Sequence, residues 1–176
     1  FTHHIASLRD RLSTMSGAVA VFKIGGASEA EMRERKDRVE DAINAVTAAL
    51  SEGIVAGGGA ALLHCISPLS KYFSKVDLTQ EEKIGIDIVL KSIKSPFIQI
   101  LKNAGVDYHE FMEKVIKSKN TTCGFNALLN SFEANMINSG IVDPTKVVRS
   151  ALENAASASG TLLTTDVTIS LEDTKE

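Results

Sequence analysis

Residues 52–59, with the sequence Glu-Gly-Ile-Val-Ala-Gly-Gly-Gly, separate a charged helical part of the chain from an apolar one. Gly53 ends the preceding helix, and the apolar residues 60–66 after the three glycines open the next helix. Three glycines before a helix N-terminus let the backbone come close to a ligand and present free N–H groups to negative charge. A tight turn with left-handed backbone angles is the alternative, which spacing alone slightly favours. The segment is not a P-loop, because the lysine and hydroxyl residue of that motif do not follow the glycines.

The part before the glycines is dominated by one long helix. Ser28 and Glu31 form a capping box, which predicts a helix over about 28–52 whose first half is nearly all charge. Before this helix, the apolar run at 18–24 ends at a glycine pair and predicts a buried strand.

The part after the glycines is predicted to be a bundle of helices. The helix after the glycines ends at Pro68, and later helices begin at Thr79, Asp107 and Asp143-Pro144, with a kink or restart at Pro96. The last helix runs to Gly160, and the alternation of apolar and polar residues over 163–171 predicts a half-buried strand. The predicted fold class is therefore mainly α with short β-strands near each end, and the candidate domain boundary falls around 51–59.

Composition excludes two classes of partner. The chain has 176 residues, and 19 Lys plus Arg against 22 Asp plus Glu give a net charge of −3. With no basic field and only 5% aromatic residues, we expect no nucleic-acid binding. No apolar run approaches the roughly 20 residues of a membrane span, so we expect no membrane partner. Because the chain begins at Phe1 rather than Met, we expect it to be a segment of a longer protein.

Few residues suggest chemistry when taken singly. Asp41 falls on the polar face of the long helix, where a lone carboxylate is usually solvated. Asp143 before Pro144 is explained by helix capping. The four histidines show no ligand spacing, and the two cysteines, Cys65 and Cys123, lack a triad or a C-x-x-C pattern, so nucleophile chemistry and a metal site are both unsupported. From the residues alone, the chain is a helical domain with one candidate anion-binding loop.

Four stretches in register, residues 19–26, 34–42, 52–59 and 140–147, resemble the group I chaperonin (GroEL-type) family. The similarity runs from about residue 19 to residue 171 and corresponds to the C-terminal third or so of a chaperonin subunit. The resemblance implies three segments. They are the end of the apical domain at 1–18, the second half of the intermediate domain at 19–51 and the C-terminal half of the equatorial ATPase domain at 52–176.

The resemblance also implies roles for single residues. Asp41 matches the aspartate that orients the attacking water, Gly58 the glycine that lets the backbone lie against the ribose, and Asp143 the carboxylate that accepts hydrogen bonds from ribose hydroxyls. The implied cofactors are ATP and magnesium, with the phosphate loop and the magnesium ligands in the part of the family's subunit that lies outside this chain. The residues that match the adenine surround are Asn126, Ala127, Leu128 and Ile141.

The implied function is that of a chaperonin subunit, which assembles into homo-oligomeric rings and uses ATP binding and hydrolysis to help unfolded proteins fold. Its implied partners are unfolded protein substrates, the other ring subunits and a co-chaperonin lid. The Lys/Asn/Ser/Ile-rich residues 114–138 favour an organelle, mitochondrial matrix or plastid, over the bacterial cytoplasm. The alternative is a helical interaction module or a degenerate chaperonin without nucleotide chemistry. ATP binding by the full-length protein would separate the two.

Overall fold

The structure, a computed structural model, describes residues 20–169 together with positions 5, 7, 8, 11, 12, 15 and 17. These residues are mainly helical with short strands, which confirms the predicted fold class. The chain forms two compact units, Phe1–Ile43 and Asn44–Glu176.

Helix α1, Glu29–Glu52, has the bounds that the sequence predicts. The Glu31 N–H donates to Ser28 Oγ over 3.2 Å, and the Glu31 carboxylate accepts from the Ala27 N–H over 2.7 Å. None of the residues of α1 is buried, so side-chain pairs on its surface support it. Pairs of this kind contribute about 0.2–0.5 kcal/mol each. They are Arg33–Glu29, Arg35–Glu31 and Arg38–Glu34.

The strand predicted at 18–24 does not form over its described residues, 20–24. An isolated strand leaves its backbone N–H and C=O groups unpaired, and the described residues of the first unit provide no neighbouring strand to pair with them. The Arg35 guanidinium instead donates to the carbonyl of Gly25 over 2.9 Å and holds this segment near the start of α1.

The second unit contains five further helices among the described residues. Thr79 caps its helix through a reciprocal capping box with Glu82, and Asp107 accepts from the His109 N–H over 3.0 Å, so both predicted starts are confirmed. The restart predicted at Pro96 is also confirmed, because a new helix begins at Ser95. The helices are α2, Ala60–Phe73; α3, Gln80–Ser92; α4, Ser95–Asn103; α5, Tyr108–Lys117; and α6, Thr145–Leu163.

The predicted helix end at Pro68 is wrong, because α2 continues to Phe73. Proline removes one helical hydrogen bond and crowds the preceding turn, but it does not stop a helix that is held on both sides. Leu63 is fully buried before Pro68, and Leu69 and Phe73 are half-buried after it. Packing therefore outweighs the local preference.

The strand predicted over 163–171 is also wrong in its described part. Helix α6 extends to Leu163, and residues 164–169 form neither helix nor strand; residues 170–171 lie outside the described part. The Thr164 and Thr165 hydroxyls donate to the carbonyls of Gly160 and Thr161, over 3.0 and 2.7 Å, and so satisfy the last turn of the helix. Local side-chain bonds of this kind compete with extended structure.

Two antiparallel pairs of short strands join the helices. Strand β1, Ile54–Ala56, pairs with β4, Val142–Pro144, and this register places Val55 opposite Asp143. Strand β2, Gly124–Asn126, pairs with β3, Ser131–Glu133. The β1–β4 pair therefore brings Asp143 beside the glycine segment.

The apolar core of the second unit consists of two clusters. The larger one joins α2, α4 and α5 to β2, and the smaller one lies beside the glycine segment, where Ile141 packs against it. The buried members of the first cluster are Leu63, Phe97, Leu101, Val115, Cys123 and Phe125, and those of the second are Ala56, Ala60 and Met136.

Candidate functional site

A groove of about 640 Å³ lies in the second unit between α3, α4 and α6. Gly58 and Asp143 both line it, so the structure brings together two of the residues that the sequence analysis singled out. Asp143 is the only charged residue of its lining. Most of the wall is apolar and includes Ile88, Val89, Ile93, Ile100, Val147 and Leu152.

The Asp143 carboxyl group is half-buried and lies near the backbone N–H of Gly58. Burial raises the pKa of Asp143, since the charged form loses hydration, and the polar N–H of Gly58 nearby opposes that rise. A carboxylate at the edge of an apolar groove is an acceptor for hydroxyl donors. The arrangement therefore suits a neutral polyol better than an anion.

The prediction that Asp143 caps the last helix is wrong. Pro144 occupies the N-cap position of α6, and no side chain caps that helix. Asp143 belongs to β4 instead, and its carboxyl group lies near the backbone N–H of Gly58. Helix capping therefore does not explain why residue 143 is an aspartate.

The three glycines have different reasons to be glycine. A Cβ atom on Gly59 would lie 2.8 Å from the backbone nitrogen of Phe97, and one on Gly57 would lie 3.1 Å from the carbonyl of Ile141. On Gly58 the nearest atom would be Met136 Cε at 3.6 Å, an ordinary contact, although the φ of +66° favours glycine. Packing thus explains Gly57 and Gly59, while Gly58 has space above it and faces the groove.

Alanine substitutions should separate these reasons. We expect Gly58→Ala to lower the free energy of unfolding by about 1–2 kcal/mol, the cost of a left-handed non-glycine residue. We expect Gly59→Ala to cost clearly more, because the clash with Phe97 adds to the same strain. Urea unfolding of both variants measures the difference. Equal losses would show that the backbone of α4 adapts to Gly59→Ala.

The residues predicted to surround adenine are not gathered in the groove. Asn126 is buried, and its Oδ1 accepts from the N–H groups of Leu128 and Leu129 over 3.0 and 3.2 Å, which shapes the turn between β2 and β3. Ala127 and Leu128 lie at the exposed tip of this hairpin. Ile141 packs against the smaller core cluster. None of the four belongs to the groove lining, so their adenine role stays a prediction.

Asp41 is exposed on α1, in the first unit, whereas Gly58 and Asp143 belong to the second. Arg38, one turn before it, pairs with Glu34 over 2.6 Å. Within the described part of the chain, the side chain of Asp41 makes no hydrogen bond or ion pair. Its carboxylate is therefore not neutralised by a neighbour.

Residues 20–169 and the isolated positions before them contain no group of three His, Cys, Asp or Glu side chains able to hold a metal ion. The prediction that magnesium is bound by residues outside this chain stays a prediction. In the same described part, no helix is long and apolar enough to cross a membrane.

The sequence analysis missed the groove. Helices α3 and α6 contain no buried residue, although both carry apolar side chains. The available signal was helical spacing, with Val89 and Ile93 four residues apart at the end of α3 and Val148 and Leu152 four residues apart on α6. Such stripes predict burial, and only the structure shows that they line a groove.

Comparison with known proteins defines the class of the chain. A model of the TCP-1/cpn60 chaperonin family matches residues 3–173, so the chain belongs to that family. It is 44% identical over 172 residues to "Chaperonin GroEL" of Holospora obtusa, and this alignment covers 96% of this chain and 31% of that protein. It is 46% identical over 162 residues to "Chaperonin CPN60, mitochondrial" of Euglena gracilis, and this alignment covers 92% of this chain and 28% of that protein.

These findings confirm the recognition of the group I chaperonins from sequence. The chain spans less than a third of the length of these two curated relatives.

Proposed function

We propose that the chain is the C-terminal third of an ATP-hydrolysing chaperonin subunit and supplies the ribose side of its nucleotide site. The observation that carries this proposal is the half-buried Asp143 carboxyl group, which β4 places beside the glycine segment so that Asp143 and Gly58 line the same groove. The proposed segments are the end of an apical domain at 1–18, part of an intermediate domain at 19–51 and half of an equatorial domain at 52–176.

The ribose of ATP carries two neighbouring hydroxyl groups, which donate hydrogen bonds to a carboxylate. Asp143 is the acceptor in this proposal, and Gly58 presents a backbone without a side chain to the sugar. A Cβ atom on Gly58 would meet no protein atom closer than 3.6 Å, so packing within the protein does not explain why this residue is glycine. Contact with the sugar is the proposed reason. The apolar walls of the groove limit the access of water to the Asp143 carboxylate, which strengthens its hydrogen bonds to a ligand.

Asp41 is the proposed catalytic residue and orients the water that attacks the terminal phosphate. A carboxylate that no basic side chain neutralises is available for this task. Helix α1 is continuous from Glu29 to Glu52 and therefore belongs to both units. A hinge motion of this helix would deliver or withdraw Asp41, so that hydrolysis waits for closure.

The phosphate loop and the magnesium ligands are proposed to lie in the part of the subunit outside this chain. The whole subunit is proposed to form homo-oligomeric rings with a co-chaperonin lid and to bind unfolded proteins. Its proposed compartment is an organelle, mitochondrial matrix or plastid, and one of its relatives is named as mitochondrial.

Replacement of Asp143 tests the proposal. In the full-length subunit, we expect Asp143→Ala to weaken ATP binding about tenfold or more, since hydrogen bonds to charged groups contribute about 1.5–3 kcal/mol each. The ATP affinity of the wild-type subunit should fall as the pH is lowered, because only the carboxylate form of Asp143 is a pure acceptor. This fall should begin at a higher pH than an exposed aspartate would give, because burial raises the pKa of Asp143.

Calorimetric titration with ATP measures both effects, and Val142→Ala, at the neighbouring position in β4, is the matched control. Unchanged ATP affinity in Asp143→Ala would remove the ribose role of Asp143.

The open groove itself favours the alternative, a helical interaction module or a degenerate chaperonin without nucleotide chemistry. Apolar residues such as Ile84, Ile88 and Val147 are about half exposed on α3 and α6, as expected for helices that bind another polypeptide. A full-length protein that binds no ATP would select this alternative.

A further inference from the structure

His64 makes a hydrogen bond that none of the proposed roles uses. The residue lies one turn into α2, and its Nε2 is 2.8 Å from the carbonyl oxygen of Cys123. A carbonyl only accepts, so Nε2 carries the proton and donates it. Cys123 is only 1% exposed, which leaves water little access to that carbonyl.

The residue next to Cys123 belongs to a chain of hydrogen bonds that reaches the glycine segment. The Gly57 N–H donates to the Ile141 carbonyl over 3.0 Å, and the Ile141 N–H donates to the Met136 carbonyl over 2.8 Å. The Met136 N–H donates in turn to the carbonyl of Thr122 over 2.9 Å, and Thr122 directly precedes Cys123. All three of these links are between backbone groups.

His64 closes this chain into a ring. Helix α2 begins at Ala60, directly after the glycines, and its first turn leads to His64. The ring thus runs from Gly57 through the backbone contacts to Cys123 and returns through the His64 side chain and α2. Of its four hydrogen-bonded links, only the one from His64 depends on the identity of a side chain.

Each segment that carries a proposed ribose or adenine contact is attached to this ring. Gly58 follows Gly57, β2 with Asn126 follows Cys123, and β4 with Asp143 follows Ile141. Movement at one link therefore changes the spacing between these segments.

We propose that His64 is a positioning residue for the nucleotide site, holding the glycine segment, β2 and β4 in register through its hydrogen bond to Cys123. This inference rests on the proposed function. The Cys123 thiol takes no chemical part, since it is buried and donates to the Asn120 carbonyl over 3.2 Å.

Two variants of His64 in the full-length subunit test the role. Leucine removes the donor, while glutamine keeps an N–H donor on a side chain of similar reach. We expect His64→Leu to raise the calorimetric Kd and the KM for ATP about tenfold with kcat within about twofold, because an unsatisfied buried carbonyl and a shifted site weaken binding rather than chemistry. We expect His64→Gln to restore the Kd to within about threefold of wild type.

Cys65→Ala is the matched control, because this neighbouring side chain is exposed on the same helix and should leave the Kd unchanged. If His64→Leu does not fold, His64→Asn replaces it, since its shorter amide falls short of Cys123 and should raise the Kd in the same way.

Wild-type affinity in His64→Leu or His64→Asn would overturn the proposal, as would an equal rise of the Kd in His64→Gln. A change in thermal stability without a change in Kd would reduce His64 to a structural residue and would also overturn it. A wild-type subunit that binds no ATP would instead contradict the proposed function itself, and the positioning role would fall with it.

Discussion

Replacement of Asp41 by alanine in the full-length subunit is expected to slow ATP hydrolysis about a hundredfold or more, the range typical of a positioned acid–base group. ATP affinity should stay within about threefold of wild type, because the proposed ribose contacts, Gly58 and Asp143, are in the other unit. A loss confined to kcat would identify an interaction made only in the transition state.

Two variants make this experiment selective. Asp41→Asn keeps the size of the side chain and removes its charge, so it should lose nearly as much activity as Asp41→Ala. Asp37→Ala removes the same type of residue one turn earlier on α1, at an equally exposed position, and should hydrolyse ATP at close to the wild-type rate. Hydrolysis by Asp41→Ala at the wild-type rate would return Asp41 to a solvated surface charge.

The isolated chain is expected to bind ATP only in the millimolar range or not at all. Asp143 is the only charged side chain that lines the groove, and it carries the same sign as the triphosphate. The described residues also contain no cluster able to hold the magnesium ion that would offset this charge. Repulsion between like charges is then uncompensated in an apolar groove.

Calorimetry of the isolated chain with ATP and with adenosine measures this directly. Adenosine lacks the phosphates and keeps the ribose, so it should bind at least as well as ATP. The full-length subunit should reverse this order and bind ATP far more tightly. Micromolar affinity of the isolated chain for ATP would mean that the glycines at 57–59 hold phosphates on their own.

The sequence determined the features that depend on neighbours in the chain. The start of α1 at Ser28, the capping box at Thr79 and the cap at Asp107 each involve bonds over two to four residues, and the structure has all three. Membership of the chaperonin family was also predictable, because several motifs in register carry it. The domain bounds and the role of Asp41 remain predictions.

The tertiary structure decided whatever depends on partners distant in the chain. Asp143 lies beside Gly58 rather than capping α6, because the pairing of β1 with β4 brings it to the glycine segment. Pro68 stays inside α2, because core packing on both sides outweighs its local preference. Residues 20–24 form no strand, since a strand needs a neighbour that no local pattern can supply. Local sequence fixes short-range hydrogen bonds, whereas burial and strand pairing depend on which distant segments meet.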